Sequence, residues 1–300
     1  MYFCTQKDKA MKVALVQMDI RWESPDINRE VAERMMLSTE KCDIYVLPEM
    51  WNTGVTTEPM GIAEPENGET LQWMQRMADT LDAAVAGSIA VKTPSNSPLQ
   101  GESSYRNRLY FVKPSTSSDS EVLPQRGNRL LGAERLGSAS DGGQGGEGAV
   151  QWYDKHHLFS YGGETKNYTP GSEYVTVEWR GLRFHLCVCY DLRFPLWLRN
   201  RDNYEVLICV ASWPSVRMHA WKVLLAARAI ENQCYVLGVN RIGKDPYCEY
   251  SGGTAIVDPF GFATSCPDNE ETVVTQTLNM KRLRSFRDKF PVLKEQDSLL

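Results

Sequence analysis

The chain has 300 residues, of which 42% are hydrophobic and 24% charged, and a net charge of -5. That apolar content can build a core, which excludes a disordered chain. No apolar run approaches the ~18–20 residues of a membrane-spanning helix, and the acidic balance argues against nucleic-acid and anionic-membrane partners.

Residues 1–11 read as a polar, flexible leader without the apolar centre of a secretory signal, and Met11 offers an alternative start. Short Val-, Ile- and Tyr-rich runs predict strands over 13–17, 44–47, 83–91 and 108–112. Further strands are predicted over 150–153, 174–179, 182–188, 206–211, 235–239, 254–258 and 273–278. Between them, 26–41 reads as a helix with Asp26 as its cap. Helix 70–81 sets Leu71, Met74, Met77, Ala78 and Leu81 on one stripe. Helix 216–233 does the same with Trp221, Leu224, Leu225, Ala229 and Ile230, and its His219 and Trp221 read as packing or interface residues. Alternating strands and helices imply an α/β fold with a mainly parallel sheet. Arg180-Gly181 between two β runs reads as a hairpin turn, so the sheet is mixed.

One segment breaks this pattern. Residues 115–148 are rich in Ser, Gly, Asp and Glu and hold too little apolar surface to order themselves. Their flanks look like two arms of one hairpin, so the segment is read as a disordered insertion in a hairpin loop. At ~150 residues per domain the length suggests two domains. The strands on both sides of the insertion form one set, however, which implies a single domain over 12–290 with a tail at 291–300.

Eight cysteines in so long a chain are too sparse for a disulfide framework. Most lie in or beside apolar segments, as reduced core thiols do, which points to a reducing cytoplasm.

Four places could carry chemistry. Glu49 follows Pro48 just past a strand, where open α/β sheets place their sites, although a lone loop carboxylate is by default only solvated. Cys189 stands where the strand 182–188 turns toward a helix, either as a structural thiol or as a nucleophile at an elbow that aims N–H groups at an oxyanion. Alternation puts Cys187 and Cys189 on one face, but their spacing is not that of a zinc or redox pair. Lys155 follows a β run and is by default a surface charge. His156 and His157 beside it suggest a Cys–His arrangement; adjacent residues on an extended segment point opposite ways, so at most one could serve. Glu164, after Gly162-Gly163, has no signal of its own.

Together these motifs resemble a family. Leu47-Pro-Glu49-Met, Tyr153-Asp-Lys155-His-His-Leu-Phe and Cys187-Val-Cys189-Tyr-Asp-Leu-Arg193-Phe-Pro are similar, in order and spacing, to the three signatures of the nitrilase (carbon–nitrogen hydrolase) superfamily. Lys12-Val-Ala-Leu-Val-Gln17, Ala211-Ser-Trp-Pro214 and Tyr250-Ser-Gly-Gly-Thr-Ala also resemble it, and the similarity runs from about Lys12 to Phe290. Tyr-Asp-Leu-Arg-Phe-Pro after Cys189 looks like the Nit/omega-amidase branch, and the stretch from His157 to Gly171 most resembles bacterial YafV-type omega-amidases.

The resemblance implies a four-layer αββα sandwich that pairs into a homodimer through its helical faces. It implies a cysteine amidase, without metal or organic cofactor, acting on a small omega-amide such as 2-oxoglutaramate. It assigns Cys189 as nucleophile, Glu49 as proton shuttle, Lys155 and the backbone N–H of Tyr190 as oxyanion donors, and Glu164 as support for the lysine. An α-keto carboxylate at the far end of the substrate calls for a cation; Arg193 is the candidate by type and closeness, its alternative being a structural pair with Asp191. Trp213 and Tyr190 are candidate pocket walls, with core packing the alternative for Trp213. The same three catalytic residues also fit another small-amide or N-carbamoyl hydrolase. A catalytically inactive binding protein on this fold is the reading from a different class.

Overall fold

The computed structural model describes residues 10–94, 104–115 and 149–295. Most of the assigned leader and tail, and nearly all of the assigned insertion, lie outside the described residues. Met11, assigned to the leader, is instead buried, and Val292–Lys294 within the assigned tail forms a 3-10 turn.

In chain order the strands are β1 (Met11–Gln17), β2 (Ile44–Val46), β3 (Glu64–Pro65), β4 (Ala84–Thr93), β5 (Ser104–Val112), β6 (Val150–Asp154), β7 (Thr176–Trp179) and β8 (Leu182–Val188). They continue as β9 (Val206–Ala211), β10 (Tyr235–Asn240), β11 (Ile242–Lys244), β12 (Glu249–Ser251), β13 (Ala255–Val257), β14 (Ala263–Ser265) and β15 (Thr272–Leu278). The helices are α1 (Pro25–Leu37), α2 (Glu69–Leu81), α3 (Met218–Glu231) and α4 (Met280–Lys289). Among the described residues, one sheet runs β15-β1-β2-β4-β5-β6 with β3 beside β4, and a second runs β14-β13-β10-β9-β8-β7. Both are mixed: β1, β2 and β4 pair in parallel while β4, β5 and β6 pair antiparallel.

Strand alternation builds the layers. On β1, Val13 and Leu15 face the second sheet, while Ala14 and Val16 face α1 and α2. On β5, Leu109 and Phe111 enter the space between the sheets, while Tyr110 and Val112 meet the helices. Phe111 meets Phe184 of β8 across that space, with ring centroids 5.6 Å apart. On the far side, α3 sends Trp221, Leu225 and Ala229 onto the second sheet. The result is the αββα order helix, sheet, sheet, helix. Because both faces of each sheet are covered, the central strands read as nearly continuous apolar runs.

Two helix bounds are refined, and two expected hairpins are present. The helix expected over 26–41 stops at Leu37, and the one expected over 216–233 opens with a 3-10 turn, Ser215–Arg217. Arg180 and Gly181 both adopt positive φ (47° and 77°) between antiparallel β7 and β8, the geometry of a two-residue hairpin. β5 and β6 form one hairpin, and Lys113 N–H still donates to Ala149 O at 2.7 Å where the chain leaves it.

All seven described cysteines are free thiols. Burial pushes Cys42 and Cys266 up to about 11 and Cys234 to about 12. It also lowers His185, stacked between Tyr174 and Tyr204, to about 3. These shifts set a pH window for stability. An unfolded thiol loses its proton at ~8.5 while the folded one keeps it, so stability falls as pH rises above that value. Unfolded histidine gains a proton below ~6.5 while folded His185 refuses it, so stability also falls on acidification. Each group contributes a slope of about 1.4 kcal/mol per pH unit inside its window. Urea midpoints should therefore peak between about pH 6.5 and about pH 8.5; a midpoint still rising toward about pH 10 would contradict this.

Candidate active site

Loops that leave the strand ends of both sheets converge on one buried point. After β2, Leu47 N–H donates to Ala86 O (2.7 Å) and Met50 N–H to Ser88 Oγ (3.0 Å), so this loop stays stitched to β4 and carries Glu49 inward. After β6, Lys155 N–H donates to Asn107 O (2.9 Å), which keeps the lysine in step with β5. Gly163 takes φ +85°, a left-handed position that suits glycine, and turns the chain so that Glu164 points inward. Glu49, Lys155 and Glu164 are only 1%, 2% and 3% exposed.

The lysine joins the two carboxylates. Lys155 Nζ donates to Glu49 Oε1 and to Glu164 Oε2, each at 2.8 Å. Asn107 Nδ2 donates to Glu49 Oε1 (2.8 Å) and Glu164 Oε1 (3.1 Å). Two main-chain donors complete the set: Ser212 N–H to Glu49 Oε2 (2.9 Å) and Phe159 N–H to Glu164 Oε2 (2.6 Å). Taking such charges out of water costs several kcal/mol per ion, and these hydrogen bonds offset it. Burial disfavours the Lys155 ammonium, but Glu164 and Glu49 outweigh it and hold its pKa well above the ordinary lysine value.

Cys189 completes the group. Strict alternation would leave it on the face of Cys187, which lies against Cys209. Instead the strand ends at Val188, and Cys189 opens a 3-10 turn, Cys189–Arg193, with φ +47°. The left-handed step takes the thiol out of the strand pattern, within the electrostatic reach of Glu49 and Lys155. Strand alternation thus ends before Cys189, and the expected elbow is present. Burial pushes the Cys189 thiol well up, Glu49 adds to this, and Lys155 only partly opposes it. The resting sulfur is protonated at neutral pH, and Glu49 is the carboxylate whose charge acts on it. The N–H of Tyr190 lies in the first turn after the elbow, where such donors have no intrahelical acceptor.

Asp191 holds the elbow. Its Oδ2 accepts from Tyr153 O–H (2.8 Å) and Val188 N–H (3.0 Å), and its Oδ1 accepts from His157 N–H (2.8 Å). Oδ1 also meets His157 Nδ1 at 2.9 Å. Asp191 is therefore not the partner of Arg193. Arg193 is exposed and lies over the ring of Trp213, 4.9 Å from its centroid. Trp213 itself is buried against Trp221 in the core, so its packing role is realised. The Tyr190 ring meets Phe159 at 5.1 Å.

Neither histidine serves the thiol. His157 is taken by Asp191 and stacks on Phe194, and His156 Nδ1 meets Gly171 O at 2.6 Å. The two rings touch at 4.5 Å rather than pointing apart, because the chain bends after Asp154 and alternation no longer applies. Asn107 and Asp191 emerge as central only in three dimensions. The signal for Asn107 is its parity: it shares the inward register of Leu109 and Phe111, where an amide is out of place unless it has a task.

Replacing Asp191 by Ala strands the donors named above in a buried site. We expect Asp191→Ala to lose on the order of 3 kcal/mol, read from the urea midpoint. A variant as stable as the parent would remove Asp191 from this role.

The carbon–nitrogen hydrolase family model matches residues 12–288. Omega-amidase YafV of Escherichia coli (strain K12) is 34% identical, with 96% of this chain and 97% of that one covered. The 2-oxoglutaramate amidase of Bacillus subtilis (strain 168) is 30% identical, over 93% and 95% of the two chains. Among solved structures, the CN-hydrolase superfamily protein XC1258 of Xanthomonas campestris, which carries an arsenic adduct in its active site, superposes with a TM-score of 0.80 at 33% identity. That match covers 97% of this chain and 99% of the other. With residues 12–288 matched by the family model and the fold shared with a member of the superfamily, this chain belongs to the carbon–nitrogen hydrolase family.

Proposed function

We propose that this protein hydrolyses the terminal amide of a small omega-amide of an α-keto dicarboxylate, of the 2-oxoglutaramate type, through a thioester on Cys189. The observation that carries the reading is a buried Lys155 bound between Glu49 and Glu164, with the Cys189 thiol within the electrostatic reach of Glu49. The omega-amidase and 2-oxoglutaramate amidase among its relatives support the substrate class.

An amide is a poor electrophile and ammonia a poor leaving group, so the reaction needs a nucleophile, a proton shuttle and oxyanion donors. Glu49 takes the thiol proton as sulfur attacks the amide carbon. Lys155 and the Tyr190 N–H hold the resulting oxyanion. Glu49 returns the proton to the nitrogen, the carbon–nitrogen bond breaks, ammonia leaves and the acyl group remains on sulfur. Glu49 then takes a proton from water, whose oxygen attacks the thioester, and gives it back to the departing sulfur. Glu164 keeps Lys155 charged and in place. In this reading Arg193, whose guanidinium lies over the Trp213 ring, and Trp213 itself contribute to binding the substrate.

In Cys189→Ala, ammonia release from 2-oxoglutaramate should vanish, and Cys187→Ala should keep most of it. Glu49→Gln should lower kcat by about 10²–10⁴-fold, the range of a lost general base. Equal losses at Cys187 and Cys189 would overturn the nucleophile assignment. A panel with neutral amides and carbamoyl compounds separates omega-amidase from another amidase; no turnover of any of them by folded protein would favour a binding role.

The same reading includes a homodimer in a reducing cytoplasm. The seven free thiols among the described residues support the compartment. No helix among the described residues is long and apolar enough to cross a membrane. The outer surface around α3 supports pairing: Val223 and Ile230 are exposed there, and so is Phe262, whose neighbour Gly261 packs against Ile230. Light scattering should give twice the chain mass at micromolar concentration; a monomer would count against the dimer.

A further inference from the structure

Arg193 and Arg217 are both tied to Trp213, the first through its guanidinium and the second through its main chain, and neither is paired with an acid among the described residues. Arg193 lies over its ring, and the Trp213 indole N–H donates to the carbonyl of Arg217 at 2.9 Å. The acids nearby in the chain or the fold are already engaged. Glu49 and Glu164 hold Lys155, and Asp191 meets His157. On the adjoining hairpin of β11 and β12, which accepts a bond from Ser215, Glu249 pairs with Lys244 and Asp245 accepts from Tyr250.

Arg217 is the better placed of the two. It is half-buried where Arg193 is exposed, so water screens it less. Its guanidinium lies 5.4 Å from the ring centroid of Phe159 and 5.8 Å from that of Tyr161. A guanidinium seated on aromatic faces keeps its orientation, while its N–H groups remain able to grip a carboxylate in two-point fashion. Phe159 fixes this platform relative to the thiol. Its backbone N–H donates to Glu164, and its ring meets Tyr190, the residue after Cys189.

We propose that Arg217 is a specificity-determining residue that pairs with the carboxylate at the end of the substrate remote from the scissile amide. This assignment rests on the omega-amide reading above and deepens it. The cation stands one aromatic ring away from the shoulder of the nucleophile, on the loop that also supplies Ser212 N–H to Glu49. It would thereby select omega-amides that end in a carboxylate over neutral amides.

The test compares kcat/KM for 2-oxoglutaramate with that for butyramide, a neutral amide, in the parent, Arg217→Gln and Arg217→Lys. Arg217→Gln should lower the ratio of the two by about 10- to 100-fold, chiefly through KM for the charged substrate, and Arg217→Lys should restore part of it. A general disturbance of the fold would lower both rates and leave the ratio in place. Should butyramide turn over too slowly to measure, protection of Cys189 from iodoacetamide by 2-oxoglutarate gives the same answer, and Arg217→Gln should need about 10- to 100-fold more ligand. An unchanged ratio, or unchanged protection, overturns the assignment. Failure of the parent enzyme to hydrolyse 2-oxoglutaramate at all would instead sink the omega-amide reading itself.

Discussion

A positive charge sealed between two negative ones governs this molecule. Lys155 could not stay ionised at 2% exposure without Glu49 and Glu164, and neither carboxylate could sit there without the lysine and Asn107. The partners come from different layers. Glu49, Asn107 and Lys155 belong to loops and strands of the first sheet, while Ser212 and Cys189 follow strands of the second. The two sheets must therefore pack at their native spacing before the charges can meet. The apolar contacts between them, Phe111 on Phe184 above all, set that spacing.

The elbow at Cys189 is the second costly feature. A cysteine at φ +47° gives up on the order of 1–2 kcal/mol relative to ordinary backbone, and Met50, next to Glu49, takes φ +41°. Such strain persists only where the surroundings over-determine it. Asp191 supplies the constraint at the elbow, tying Val188, Tyr153 and His157 to one buried carboxylate. The ties also join the segment that carries Lys155 to the turn that carries the thiol, so one residue registers two halves of the site.

Local patterns revealed the long strands, the helices α1 to α3 and the β7–β8 hairpin, because each has a period or a turn signal of its own. Strands β3, β11, β12 and β14 span only two or three residues, too short for alternation to register. Helix α4 escaped because only Met280 and Leu283 are buried on an otherwise charged segment. The motifs around Glu49, Lys155 and Cys189 were legible through resemblance rather than through their own chemistry, since each is ordinary in isolation. Asn107, Asp191 and Arg217 were not singled out as site residues, because their meaning lies in contacts that no local window contains. The histidines misled for the complementary reason: their type suggested a base, but a bend after β6 turned both rings onto other partners.

The hairpin of β5 and β6 has one last consequence. Its site end carries Asn107 and Lys155, and its other end is the Lys113–Ala149 bond from which the long polar segment departs. Six steps of extended chain lead from Ala149 to Lys155, about 20 Å at ~3.3 Å per step. The paired strands between act as a stiff standoff. Evolution can lengthen, shorten or rewrite the connection there, and an engineer can splice in a reporter or an affinity handle, with the register of the buried ions left to the ladder that precedes it.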